Sequence, residues 1–295
     1  MNKKFSIKIP EDFNFQACLQ FLQRSDLECL FFVKKECVFF PIEIQSQIFI
    51  VQVLGKKDRL EIEILNADLF PEGELRIKDY ILEWFDIRRD LTAFNQMCSN
   101  DFLLKNINLK HRGLRLIGIP NLTEALSWAI IGQQINLTFA YTLKKRLIEN
   151  FGKKIKFERN DFFLFPSAKT ISQLTENDLR PFQFSRSKIK YLTGVTKAIA
   201  ENEISKKHLS QIPYKEAKTL LLSYKGIGNW TADYVLMKCI RSTNAFPITD
   251  VGLHNAIKKQ LNLKQKPSLE EIEQWSDNWK GWEAYATFYL WHSLL

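Results

Sequence analysis

The segment Lys225-Gly226-Ile227-Gly228-Asn229-Trp230 sets two glycines around one isoleucine, between two stretches of helical pattern, PYKEAKTLLLSY and TADYVLMKCI. A helix ends readily on glycine, because the left-handed backbone there meets no Cβ. A second glycine two residues on makes a tight turn whose N–H groups point outward. The next helix starts at the same spot and adds its free amides and its dipole. Such a spot suits a phosphate, although a plain helix–turn–helix link uses the same residues. Lys225 and Lys238 stand near it, either as added charge or as solvated surface. Further on, FPITDV carries a single carboxylate, Asp250. It precedes the amphipathic stretch VGLHNAIKKQL, where aspartate is a favoured N-cap. A carboxylate held rigidly at a helix start can also stabilise developing positive charge or orient water. Trp230 and Tyr234 are four apart and share one helix face, which makes them either core or an electron-rich slot for a cation.

The elements that must position these groups fall into two regions. In the amino-terminal region, FQACLQFLQR reads as a helix. ECLFFVKKECVFFPIEIQSQIFIVQVLGKKDRLEIEIL is rich in β-branched and aromatic residues, LEIEIL alternates strictly, and LGKKDR reads as a hairpin turn. Pro41 marks an edge or a break. From about Asp90 the pattern turns helical and stays so, with Thr123 as the cap of LTEALSWAIIGQQINLTFAYTLKKRLIENFG and two further helices in the tail. The expected fold class is α+β: a small antiparallel β-rich domain over 1–104, then a mostly helical domain over 105–295. The division falls near CSNDFLLKNINLKHRG.

Composition narrows the function. The chain has 295 residues and a net charge of +9, which favours an anionic partner: nucleic acid, a membrane surface or an acidic ligand. Five cysteines with no C-x-x-C pair and four histidines argue against zinc and against a disulfide framework. MNKKFSIKIP has no long apolar run, and no window reaches the length of a membrane span. No basic amphipathic helix with a clean apolar face argues for a membrane surface. The expected location is the cytoplasm, with the nucleoid, or the nucleus.

KGIGNWTA resembles the hairpin of the helix-hairpin-helix (HhH-GPD) DNA glycosylase superfamily, and Asp250 stands where that superfamily keeps its catalytic aspartate. GLRLIGIPNLTEALSWAIIGQQIN resembles the opening of the glycosylase domain in the AlkA-type branch, the DNA-3-methyladenine glycosylases II. WKGWEAYATFYLWH resembles that branch's last helix. The four matches run in family order over roughly residues 110–295, and the amino-terminal region resembles the family's β-rich appendage in pattern.

The resemblance implies a DNA-binding hairpin at Lys225, Gly226, Ile227, Gly228 and Asn229. It implies catalysis by Asp250 and a base pocket of Trp230, Tyr234 and Trp291, whereas Trp282, Tyr285, Phe288 and Tyr289 read as core. Gln134, beside Gln133, matches the residue that fills the hole left by a flipped base, where the familiar pattern has leucine; a helix with a polar face is the other reading of IIGQQI. Asn136 stands in place of the usual serine. Arg186, Lys188 and Lys190 match the segment before the hairpin, as phosphate contacts or as a solvated face.

No organic cofactor is implied. A monovalent cation, Na+ or K+, would be held by the backbone carbonyls of Leu222, Tyr224 and Ile227. Bifunctional relatives carry a lysine where this chain has Trp230, and an indole cannot form a Schiff base. Relatives of the endonuclease III type hold an iron–sulfur cluster with four cysteines after the hairpin, and no cysteine follows Cys239 here. The implied function is a monofunctional DNA glycosylase, a monomer acting on double-stranded DNA with an alkylated purine of the 3-methyladenine type. It would work by base flipping and Asp-assisted attack of water. The alternatives are a glycosylase for hypoxanthine or an oxidised base, and a non-catalytic protein that binds damaged DNA.

Overall fold

A computed structural model describes residues 4–295; residues 1–3, at the start of the expected first domain, lie outside the described residues. The amino-terminal region forms a five-stranded antiparallel sheet in the order β1-β5-β4-β3-β2. Its strands are β1 (Lys4–Lys8), β2 (Phe32–Lys34), β3 (Cys37–Ile44), β4 (Gln47–Gly55) and β5 (Arg59–Ile64). β5 shows why: Leu60, Ile62 and Ile64 are buried while Glu61 and Glu63 are partly exposed, so alternation gives the strand one wet face and one dry. The β4–β5 turn falls at 56–58, within LGKKDR. Pro41 sits inside β3, but β2 pairs only with Cys37–Phe39, so Pro41 has a paired neighbour, Ile50, on one side alone. Its missing N–H therefore breaks no ladder bond.

The helix Phe15–Leu22 and the helix Pro71–Trp84 back the sheet, and from Thr92 onward the chain is mainly helical. One continuous core joins both regions. The expected division at 104/105 falls where Leu104 leads into the helix Lys105–Lys110, and both Leu103 and Leu104 lie in that core. Asp101, nearly fully buried, accepts the amides of Leu103 and Leu104 and the indole N–H of Trp279 at 2.8–2.9 Å.

Two polar clusters tie the regions together. Lys144 pairs with Glu28 and Glu124 at 2.9 and 3.0 Å, all three largely buried. Asp86 accepts Tyr285 Oη at 2.7 Å and Arg89 Nε at 3.1 Å, with Arg241 Nη2 at 3.3 Å. Burial opposes its charge, but Arg241 and Arg89 outweigh that and hold the carboxyl below its ordinary value.

The structure corrects the sequence reading in three places. The helical stretch does not continue unbroken: β6 (Lys153–Phe157) and β7 (Asn160–Leu164) form a separate hairpin that packs on β3. Phe162 lies 5.3 Å from the Phe32 ring, and Lys153 pairs with Glu43. The stretch expected as one helix from Thr123 is two, Leu122–Gly132 and Leu137–Phe151. Their caps are Asn121, which accepts the Glu124 amide, and Asn136, which accepts the Phe139 amide. Thr123 is an interior, buried residue; the asparagine two positions earlier has the extended backbone a cap needs. Tyr285, Phe288 and Tyr289 are core as expected, and Phe94 packs against Trp282, Tyr285 and Tyr289.

Asp86→Asn leaves Arg241 and Arg89 without their counter-charge. It is expected to lower unfolding free energy at pH 7 by about 3 kcal/mol in urea titration. Because the folded-state pKa is depressed, the contribution is present above the unfolded carboxylate range near 3.9. It is lost as pH falls through the lower folded value, so the gap between wild type and variant should close in acid.

Candidate active site

The helices Tyr214–Leu222 and Asn229–Val235 form the two arms of the hairpin. They are clamped by Asp233, whose carboxylate accepts Tyr214 Oη at 2.6 Å and Lys218 Nζ at 2.9 Å. The glycines between them have different jobs. Gly226 has φ +91°, and a Cβ there would lie 2.2 Å from the Tyr191 ring, so the fold itself demands glycine. Gly228 is extended and exposed, and a Cβ there would meet nothing within 4 Å. Its bare backbone leaves room for something outside the protein. The amides of Gly226 and Gly228 make no hydrogen bond among the described residues. Lys225 and Asn229 are exposed beside them, and Ile227 anchors the turn in the core.

Asp250 caps the helix Val251–Gln260, and its carboxylate is held on three sides. Oδ1 accepts the Leu253 amide and Trp291 Nε1, and Oδ2 accepts Trp230 Nε1, each at 2.8 Å. The preceding turn is pinned as well: Asp250 N–H donates to the Pro247 carbonyl, and the His254 ring nitrogen donates to the Ile248 carbonyl, both at 2.8 Å. Capping and site geometry are therefore one arrangement. A carboxylate offers about four acceptor positions, so three donors leave roughly one open, on Oδ2.

The Tyr234 ring bridges the two tryptophans, 5.3 Å from Trp230 and 6.1 Å from Trp291, with interplanar angles of 31° and 35°. Burial raises its phenol above the ordinary range. The three rings and the acid expected from sequence are thus brought together. Trp230 and Trp291 remain partly exposed.

Gly252 was missed. A Cβ there would lie 2.9 Å from Asp250 Oδ1 and 3.2 Å from Trp291 Nε1, inside the bond that holds the acid. The signal was available, since glycine in a helix costs about 1 kcal/mol against alanine and asks for a reason.

Two lysines differ from expectation. Lys238 is neither solvated nor near a phosphate: it is 2% exposed, donates to the Ile117 carbonyl, and lies about 5 Å from the Phe21 and Phe288 rings. Burial pushes its amine well below the ordinary lysine range. Lys188 turns inward and donates to the carbonyls of Ile130, Ile131 and Gln133 at 3.1, 2.8 and 2.7 Å, with its pKa lowered by burial to about 8. Arg186 pairs with Glu176, and Lys190 is exposed.

Gln134 is exposed, with φ +56°, at the break between the two helices. Gln133 instead points to the hairpin, its Nε2 donating to the Gly226 carbonyl at 2.8 Å and to Thr231 Oγ1 at 2.9 Å. The carbonyls of Leu222 and Ile227 accept no hydrogen bond among the described residues, while that of Tyr224 accepts the Ile227 amide at 3.1 Å. A cleft of about 750 Å³, lined by Arg24, Trp128 and Tyr141 among others, does not include Asp250 or the three rings. Among the charged residues of its wall, Glu28 and Glu124 are already paired with Lys144.

A helix-hairpin-helix turn with free amides and a carboxylate held by two indoles are what the resemblance to base-excision DNA glycosylases implies, and comparison with known proteins shows the same family. Residues 127–282 match the family described as HhH-GPD superfamily base excision DNA repair protein. The chain is 41% identical over 297 residues to a DNA-3-methyladenine glycosylase of Bacillus subtilis (strain 168), covering 100% of this chain and 98% of that protein. Its fold is similar to the 3-methyladenine DNA-glycosylase from Archaeoglobus fulgidus, with TM-score 0.84, 21% identity and 97% of each chain covered. It is also similar to the Clostridium acetobutylicum 8-oxoguanine glycosylase/lyase in complex with double-stranded DNA, with TM-score 0.74, 19% identity, and 99% and 97% covered. The chain belongs to the HhH-GPD superfamily of base excision DNA repair proteins.

Two glycine substitutions separate the roles of the hairpin. Gly226→Ala is expected to cost stability, seen as a lower urea midpoint, because of its φ and the Tyr191 ring. Gly228→Ala should leave the unfolding free energy nearly unchanged, within about 1 kcal/mol, and weaken binding to duplex DNA in a fluorescence anisotropy titration.

Proposed function

We propose that this chain is a monofunctional DNA glycosylase that hydrolyses the N-glycosidic bond of alkylated purines of the 3-methyladenine type in double-stranded DNA. The observation that carries the reading is the Asp250 carboxylate, fixed by the indole N–H groups of the partly exposed Trp230 and Trp291. A base in a duplex is out of reach, so the nucleotide must leave the stack. In this reading the hairpin grips the backbone through its free amides while this happens, and Gln134, exposed between two helices, fills the gap.

An alkylated purine carries positive charge, and over the partly exposed indoles of Trp230 and Trp291 a cation would gain about 0.5–2 kcal/mol. When the C1′–N bond breaks, the bonding pair leaves with the base. An alkylated base accepts that pair readily and needs little help from an acid. The sugar becomes oxocarbenium-like, and the open position on Oδ2 faces that charge or holds the attacking water. Oxygen then bonds to C1′, the water loses a proton, and an abasic site remains. Trp230 stands where a lyase would need an amine, so the backbone is left intact.

The carbonyls of Leu222, Tyr224 and Ile227 fit a hard monovalent cation such as Na+ or K+, since two of them have no other partner. A cation there would be coordinated by these carbonyls, tie the end of the first arm to the turn and stiffen the hairpin. The full-length relative of Bacillus subtilis named for 3-methyladenine supports this substrate over hypoxanthine or an oxidised base.

The reading is tested by incubating the protein with alkylated, deaminated and oxidised DNA and identifying the free bases. Alkylated purines should appear, with no strand cleavage and no borohydride-trapped complex. Asp250→Asn should lower release by at least about 10³-fold with DNA affinity retained. Equal, negligible release by both proteins would instead leave a damaged-DNA-binding module.

A further inference from the structure

The family pattern assigns a job to Gln134 but none to Gln133, and it reads Lys188 as a phosphate contact or a solvated residue; the structure commits both Gln133 and Lys188 to other contacts, which the sequence does not suggest. Lys188 is 58 residues from Ile130, yet its ammonium gathers three carbonyls at the end of the helix Leu122–Gly132. The last of these, the Gln133 carbonyl, belongs to the peptide unit that leads into Gln134. Holding that carbonyl fixes the plane of the peptide from which Gln134 departs at φ +56°. The side chain of Gln133 then reaches the hairpin, where the Gly226 carbonyl and Thr231 Oγ1 accept its amide. The same helix that carries Lys188, Arg186–Ala200, also carries Tyr191, whose ring fills the space a Cβ of Gly226 would need. One helix thus supports both the loop of Gln134 and the turn of the hairpin, and Gln133 ties them directly.

We propose that Lys188 and Gln133 are positioning residues that hold the Gln134 loop in register with the hairpin, so that a backbone gripped by the hairpin meets the wedge at a fixed offset. The inference rests on the glycosylase reading and on Gln134 as the wedge. Neither residue touches the reacting atoms. Their loss should therefore impair the flipped state more than the grip on ordinary DNA. A purely structural role would lower both together with the amount of folded protein.

The test uses the full chain with duplexes that carry one alkylated purine next to 2-aminopurine, whose emission rises when its neighbour leaves the stack. Lys188→Met keeps the aliphatic stem and removes the donors; Lys188→Arg restores charge and donors. Gln133→Met removes the tie from the other side and serves if Lys188→Met does not fold. Met at either position is expected to lower the flipping signal and single-turnover base release roughly 10- to 100-fold. Affinity for undamaged duplex should stay within about threefold, and Lys188→Arg should recover most of the loss. Release and emission within about twofold of wild type in both Met variants would overturn the proposal. So would losses that merely follow undamaged-duplex affinity or folded fraction. If the wild type releases no alkylated base, the glycosylase reading fails on that arm, while the emission arm still decides whether the two residues position the loop.

Discussion

The site depends on one constraint: a carboxylate at a helix start must keep a single orientation beside two partly exposed indoles. Three N–H donors enforce it. One comes from its own helix, and two come from indoles on helices far apart in the chain. The indoles do double work, since their N–H edges fix the acid and their rings pack on either side of Tyr234. Moving either tryptophan changes the aromatic cluster and the direction of the carboxylate together. Gly252 is part of the same constraint, because any side chain there would enter the contact between Oδ1 and the Trp291 indole.

Around this centre, the rest of the fold brings distant segments to one place. The arms of the hairpin are locked by Asp233, the turn is locked by Ile227 and Tyr191, and the Gln133–Gln134 loop is locked by Lys188. The amino-terminal sheet is bound to the helical part through a shared core and through the Asp86 and Lys144 clusters. Each cluster joins segments that are separate in sequence, so the sheet and the helical body hold each other in place.

Local patterns were legible because their causes are local. The alternation of LEIEIL gave β5, the turn residues gave the β4–β5 connection, and helical spacing put Trp230 and Tyr234 on one face. Asp250 as a cap needed only its neighbours. Trp291 needed the family resemblance, since nothing in its own helix tells a pocket ring from a core ring. Contacts at long range were not legible. Lys188 and Lys238 looked like surface charge because lysine usually is, and their carbonyl partners lie 55 or more residues away. The hairpin β6–β7 was hidden for a related reason: KKIKF is mostly lysine and NDFFL is short, and Phe162 and Phe163 are buried where the hairpin packs on β3. Gly226 and Gly228 looked equivalent in sequence; only backbone angles and neighbours show that one serves the fold and the other leaves space outside it.

The central claim is that Asp250 faces positive charge on the sugar of an extruded nucleotide. The most direct measurement compares affinity for two duplexes that differ at one position, a cationic pyrrolidine sugar mimic against its neutral tetrahydrofuran counterpart. Wild type is expected to favour the cation by about 10²-fold or more, and Asp250→Asn to bind both about equally. An equal preference in wild type, or one that survives Asp250→Asn, would contradict the account.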